Sequence, residues 1–186
     1  MVTRSRQVRM VLVGLAAMVA LACQKPMSAT ASTVVDSDCP PDGPYQETIT
    51  STAPVRPLPG ATVRFELGVR RLQIDIGPMR EGRYTFPVPV GVARVTRVEF
   101  ADGNPNTWEV QGADLLVRFK GPDGDWLVND FPRMTIVAEL SPTLRPGDTV
   151  AWKPYRRFEQ EFVNMDRPLA CTVRNPGLVL QSMTIR

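Results

Sequence analysis

Val63-Arg64-Phe65-Glu66-Leu67 alternates apolar and charged residues without a break, and that alternation decides the fold. Successive side chains of an extended chain point to opposite faces, so the stretch makes a half-buried strand with Val63, Phe65 and Leu67 on one side. The pattern returns further along the chain. Leu72, Ile74 and Ile76 alternate with Arg71, Gln73 and Asp75, while Thr96, Val98 and Phe100 alternate with Arg97 and Glu99. Leu115, Val117 and Phe119 face away from Leu116, Arg118 and Lys120. Met134, Ile136, Ala138 and Leu140 alternate with Thr135, Val137 and Glu139, and Val150 and Trp152 with Thr149, Ala151 and Lys153. Turn chemistry separates these runs at Asp102-Gly103, Gly112-Ala113-Asp114, Gly121-Pro122-Asp123-Gly124 and Arg145-Pro146-Gly147-Asp148. Short strands at this spacing predict an all-β fold, an antiparallel β-sandwich of about seven to nine strands.

Two segments need separate treatment. Over 84–90, Phe86, Val88 and Val90 share one face while Pro87 and Pro89 interrupt the other. A proline cannot donate to a ladder, so the segment is expected on a sheet edge. Over 155–165, Tyr155, Phe158, Phe162 and Met165 recur at helical spacing ahead of Pro168, which makes one short helix the preferred assignment. The same stretch also fits a strand, with Phe158, Gln160 and Phe162 opposite Glu159 and Glu161.

The N-terminus is of another kind. Arg4, Arg6 and Arg9 precede an uncharged apolar run from Met10 to Ala22, and Cys23 follows. A basic start, a short apolar stretch and small residues at its end make a bacterial export signal. The run is too short to span a bilayer, which takes ~20 apolar residues. Ala20-Leu21-Ala22-Cys23 resembles the lipobox of bacterial lipoproteins. That resemblance implies removal of residues 1–22 and attachment of lipid, palmitate included, to Cys23. With Gln24 in place of Asp after the cysteine, it also implies the periplasmic face of the outer membrane of a Gram-negative bacterium. The same triplet fits ordinary signal peptidase, which would leave Cys23 a free thiol.

Removal of this segment takes three of the 22 basic residues with it and leaves 19 basic against 19 acidic over 164 residues. With no net positive field and no basic stripe, nucleic-acid binding has no electrostatic footprint. Residues 23–59 are rich in Ser, Thr, Asp and Pro and poor in large apolar residues, so they read as a spacer, with the sandwich domain at 60–186. Cys39 and Cys171 are then the remaining cysteines. In an oxidising compartment we predict that they are bonded to each other.

The chain contains no histidine. This removes the base of the common hydrolase triads and the usual catalytic zinc sets. Leu144-Arg-Pro-Gly-Asp-Thr-Val-Ala-Trp152 looks like the strand-entry segment of cupredoxins. Without the two histidines of a blue-copper site, the likeness implies a turn feeding a strand and no copper. Asp102-Gly-Asn104-Pro-Asn106 imitates a calcium loop but has Thr107 where Gly is needed and Ala113 where Glu is needed. Asp123, Asp125, Asn129 and Asp130 are equally the residues that hairpin loops prefer. No metal or cofactor is expected. Glu159 and Glu161 would form a carboxylate pair only on a strand, and beside Arg156 and Arg157 they read as a solvated face.

Aromatic and Arg residues together are enriched at interface hot spots. Trp126 and Phe131, with Tyr155, Arg156, Arg157 and Phe158, form the candidate binding surface. The expectation is a non-enzymatic, lipid-anchored module that binds an envelope protein, as an assembly component, inhibitor or immunity factor. The alternative is a domain that binds polysaccharide or peptidoglycan, or processes glycan with carboxylates.

Overall fold

The computed structural model describes residues 27–71, 79–101, 106–120 and 133–186. They fold as β1 Ser28–Cys39, β2 Gly43–Pro54, β3 Thr62–Arg71, β4 Met79–Pro87, β5 Val92–Phe100 and β6 Asn106–Gln111. Then follow β7 Asp114–Lys120, β8 Met134–Leu140, β9 Thr149–Trp152, β10 Arg157–Phe162, β11 Leu169–Val173 and β12 Gln181–Thr184. Ten strands form one antiparallel sheet in the order β5-β8-β3-β2-β1-β11-β10-β4-β7-β6, and β12 pairs with β9 in a small second sheet. The long sheet folds over on itself. Phe100 on β5 and Phe119 on β7 stand near opposite ends of the strand order, yet their ring centroids are 5.4 Å apart. The small sheet closes another side, with Trp152 stacked on Phe65 at 4.4 Å and the Ser51 hydroxyl donating to the Leu180 carbonyl at 3.1 Å. The result is an antiparallel β-sandwich around one continuous core.

The period-two residues supply that core. Val63, Phe65, Leu67, Leu115, Val117, Phe119, Met134, Ile136, Ala138, Leu140, Val150 and Trp152 are all buried. Full burial of each large apolar side chain contributes roughly 1.5–3 kcal/mol, so the alternation itself sets which face of each strand turns inward. Val98 and Phe100 follow it. Thr96 does not: register shifts between Val92 and Arg94 and between Val95 and Arg97 change the phase, so Thr96 is exposed and Val95 packs against the core. The strand expected around Leu72, Ile74 and Ile76 lies outside the described residues.

Three expectations are corrected. The segment 155–165 is not a helix but contains β10, with β4 on one side (Glu159 against Arg83) and β11 on the other (Glu159 against Ala170). Both backbone edges are used by ladders, a pairing that no helix can offer. The edge placement of 84–90 also fails. β4 lies inside the sheet between β10 and β7, and Pro87 is its last residue, so the ladder ends where the prolines begin. The edges are β5 and β6, and β5 is blunted by its two irregularities and by Arg94 and Arg97. The spacer is the largest correction. Ser28–Cys39 and Gly43–Pro54 are strands of 12 residues each in the middle of the sheet, so the domain begins far upstream of residue 60. Their Thr, Val and Ile content suits a pleated surface, and the inward Val35, Tyr45, Ile49 and Ala53 are buried. Pro40 and Pro41 occupy the turn between them.

Cys39 on β1 and Cys171 on β11 are joined by a disulfide, as the sequence predicted.

Candidate functional site

The outward face of β10, β4, β7 and β6 is the most organised surface of the described residues. Register sets its rows: Arg157 stands beside Thr85, then Leu116, then Glu109, and the next row runs Glu159, Arg83, Arg118, Thr107. One strand step further are Glu161, Glu81 and Lys120. Like charges stand directly opposite in these rows, Arg83 beside Arg118 and Glu161 beside Glu81. They are offset by opposite charges one row away, where Arg118 and Arg83 turn to Glu81 and Arg83 also to Glu161.

Glu81 is the centre of this ladder. Its side chain is only 8% exposed although it lies on the solvent face, because the surrounding cations cover it. Arg118 grips it with two guanidinium nitrogens, the Nη2 bond at 3.0 Å, while Arg83 Nε donates at 2.7 Å. Lys120 Nζ stands 4.0 Å away. Burial pushes the Glu81 carboxyl up, but hydrogen bonds from Arg118 and Arg83 and then their charges outweigh it. The carboxyl is therefore held below its ordinary value. Arg83 also reaches Glu159 at 3.5 Å and Glu161 at 3.3 Å, so one guanidinium ties three carboxylates together.

Beside the ladder runs a groove of about 590 Å³ lined by Thr85, Thr107, Glu109, Leu116, Arg83 and Arg118. Leu116 is a half-buried apolar side chain among charged ones. A second outward groove of about 580 Å³ crosses β2, β3 and β8 around Gly68, between Thr50, Thr52, Glu66, Arg70 and Thr135. It turns no large apolar side chain outward, so it lacks the anchor that the first possesses.

The sequence-based candidates divide. Arg156 and Arg157 are exposed at the margin of the first groove. Arg157 Nε donates to the Thr85 hydroxyl at 3.4 Å, and Arg156 lies 3.2 Å from Asp114. Tyr155 and Phe158 are not surface groups. Each is 1% exposed, and with Tyr84 and Phe86 they form an aromatic cluster whose contacting ring centroids are 5.1–6.2 Å apart. Alternation along β10 turns Phe158 inward and Arg157 outward, so the two cannot share a surface. Trp126, Phe131, Asp123, Asp125, Asn129 and Asp130 lie outside the described residues, as does Cys23. Glu159 and Glu161 share a face, as a strand requires, but both pair with Arg83 in the open. A glycosidase acid instead needs a carboxyl kept neutral in an apolar setting. Among the described residues no group of three or more acids or cysteines is placed to hold a metal.

Reasoning from sequence missed Glu81, Arg83 and Arg118 as a unit. Arg118 was legible as an outward residue of its strand, but Glu81 and Arg83 precede the stretch read as extended, 84–90, and their meeting with Arg118 depends on β4 starting at Met79 and pairing with β7.

No family model and no curated protein matches the sequence. Among solved structures, the chain is similar to one in a type I cohesin–dockerin complex from Clostridium thermocellum, at 15% identity and a TM-score of 0.49, over 84% of this chain and 99% of that one. It is similar to a non-cellulosomal cohesin from Archaeoglobus fulgidus at 9% identity and a TM-score of 0.47, over 83% and 91% of the two chains. A type I cohesin from Pseudobacteroides cellulosolvens gives 11% identity and a TM-score of 0.44, over 71% and 87%. At these identities and scores none of the three says what this chain binds.

Proposed function

We propose that this chain is a protein-binding module held on the periplasmic face of the outer membrane by lipid on Cys23. The observation that carries the binding role is the face of β10, β4 and β7, where Leu116 and the groove beside it are framed by charges already locked to one another by Glu81. A surface ordered before contact loses little side-chain entropy on binding, which favours recognition of a folded partner. Its carboxylates are matched by guanidinium groups, so the face offers electrostatic complementarity and not a free acid and base. The anchor rests on the sequence: the basic start, the apolar run and the Ala-Leu-Ala-Cys junction.

The test is affinity capture from detergent-solubilised envelopes with the full chain and a Leu116→Asp variant, each labelled with palmitate in the cell. The reading predicts a specific protein retained by the natural chain, lost with Leu116→Asp, and palmitate on both. Capture that is indifferent to Leu116 would refute the face, and a chain without palmitate would refute the anchor.

A further inference from the structure

The pole of the sandwich at which β1 begins carries exposed apolar side chains on neighbouring loops. Met27 is 77% exposed, Leu58 51% and Val90 94%. A chain of backbone hydrogen bonds links the segments that bear them. Val55 donates to Met27 at 2.8 Å, Gly60 to Ser141 at 3.3 Å, and Ser141 to Gly91 at 2.8 Å. Exposed Arg56, Arg145 and Arg186 belong to the same end, where Arg186 donates its backbone N–H to Pro57 at 3.2 Å and Gly147 donates to Ile185 at 2.9 Å. Over 55–61, 88–91 and 141–148 the sequence has one acid, Asp148, whose carboxylate accepts from the Arg145 backbone at 2.7 Å.

What covers this end follows from where the chain leads. Four residues, 24–27, separate Cys23 from the first residue of β1. Fully extended they reach about 14 Å, so a lipid on Cys23 cannot let the domain swing clear of the bilayer. The pole that begins with Met27 must face the membrane closely. Exposed apolar side chains flanked by arginines are what an interface of headgroups and upper acyl chains accepts, and a second attachment steadies a lipid anchor.

We infer that this end seats directly on an anionic bilayer surface, with Met27, Leu58 and Val90 at the acyl boundary and Arg56, Arg145 and Arg186 among the phosphates. The inference rests on lipid at Cys23, and it fixes how the domain stands: the 163–168 turn, between the far ends of β10 and β11, points away from the membrane.

The test uses the full chain purified from membranes with its anchor and placed in vesicles of phosphatidylethanolamine and phosphatidylglycerol. A polarity-sensitive fluorophore is attached at Leu58→Cys, at Val90→Cys, or at the distal control Asp166→Cys, and the mass of each sample reports the lipid. The expected result is blue-shifted emission at 58 and 90, quenched by nitroxide-bearing acyl chains, with water-like, unquenched emission at 166. Lipidated protein with water-like emission at all three positions would overturn the seating and leave the anchor standing. A mass showing Cys23 unmodified would overturn the anchor and the seating with it.

Discussion

Cys171 stands across the β1–β11 ladder from Cys39, in the row next to the pairs Asp38 with Thr172 and Ser37 with Val173. The disulfide joins positions 132 residues apart that the strand register already brings together. Restriction of the unfolded chain is therefore its main contribution, since the folded ladder needs no cross-link to align. The double variant Cys39→Ala/Cys171→Ala should lose about 2–5 kcal/mol and keep its far-ultraviolet circular dichroism. Denaturant midpoints with and without reductant check this, and equal midpoints would remove the cross-link from the account of stability.

Gly82 lies against the Phe119 ring, its register partner on β7, and a Cβ at that position would overlap Cζ and Cε2 of the ring. Phe119 cannot swing away freely, being packed between Tyr84 at 5.6 Å and Phe100 at 5.4 Å. Gly82→Ala should cost about 1–3 kcal/mol through overpacking. Gly68 is the control: it also lies in a strand, but a Cβ there meets nothing within 4 Å. Gly68→Ala should be neutral or stabilise by up to about 1 kcal/mol by restricting the unfolded chain. Thermal melts of the two variants give opposite signs if the close approach of Phe119 is what requires glycine.

The contrast between what the sequence showed and what it hid follows from the range of each interaction. Alternation in Val63–Leu67 or Leu115–Phe119 is local, and burial obeyed it at Val63, Phe65, Leu67, Leu115, Val117 and Phe119, with Leu116 left half-buried on the outer face. The error over 28–54 came from treating Ser and Thr as spacer residues, whereas Ser37 and Ser51 are buried in the sheet interior. Strand order was beyond local pattern. Proline at 87 marked a strand end, not a sheet edge, and only the long-range pairing of β4 with β7 and β10 distinguishes the two. The same holds for the binding face: Arg157 could be picked out as a candidate, but its buried neighbour Phe158 required the register to be known.

Trp152 is 2% exposed and stacks on Phe65, yet its indole Nε1 has no hydrogen-bond partner among the described residues. Its contribution is therefore area and stacking, not polarity. Trp152→Ala should cost about 3–5 kcal/mol, as expected for removal of a buried aromatic. Trp152→Phe, which keeps the stack and removes the orphaned N–H, should retain more than half of that stabilisation. Urea titration of both variants decides the matter, and equal losses would show that the indole nitrogen has an acceptor.

Glu81 gives the fold an acid-sensitive point. The folded protein holds its carboxyl below the ordinary value of 4.5, because the bonds from Arg118 and Arg83 outweigh the effect of burial. Between the folded and unfolded values the unfolded chain binds more protons, so stability falls as the pH falls. The contribution is complete above 4.5 and is lost as the pH drops through the lower, folded value. Glu81→Gln, which cannot ionise, should be less stable than the natural chain by about 1–3 kcal/mol at neutral pH. The difference should shrink as the solution is acidified below 4.5. Urea midpoints of both proteins across this range are the measurement. A gap that stays constant with pH would mean that Glu81 acts by shape and neutral hydrogen bonding alone, and the charged ladder of β10, β4 and β7 would lose its electrostatic centre.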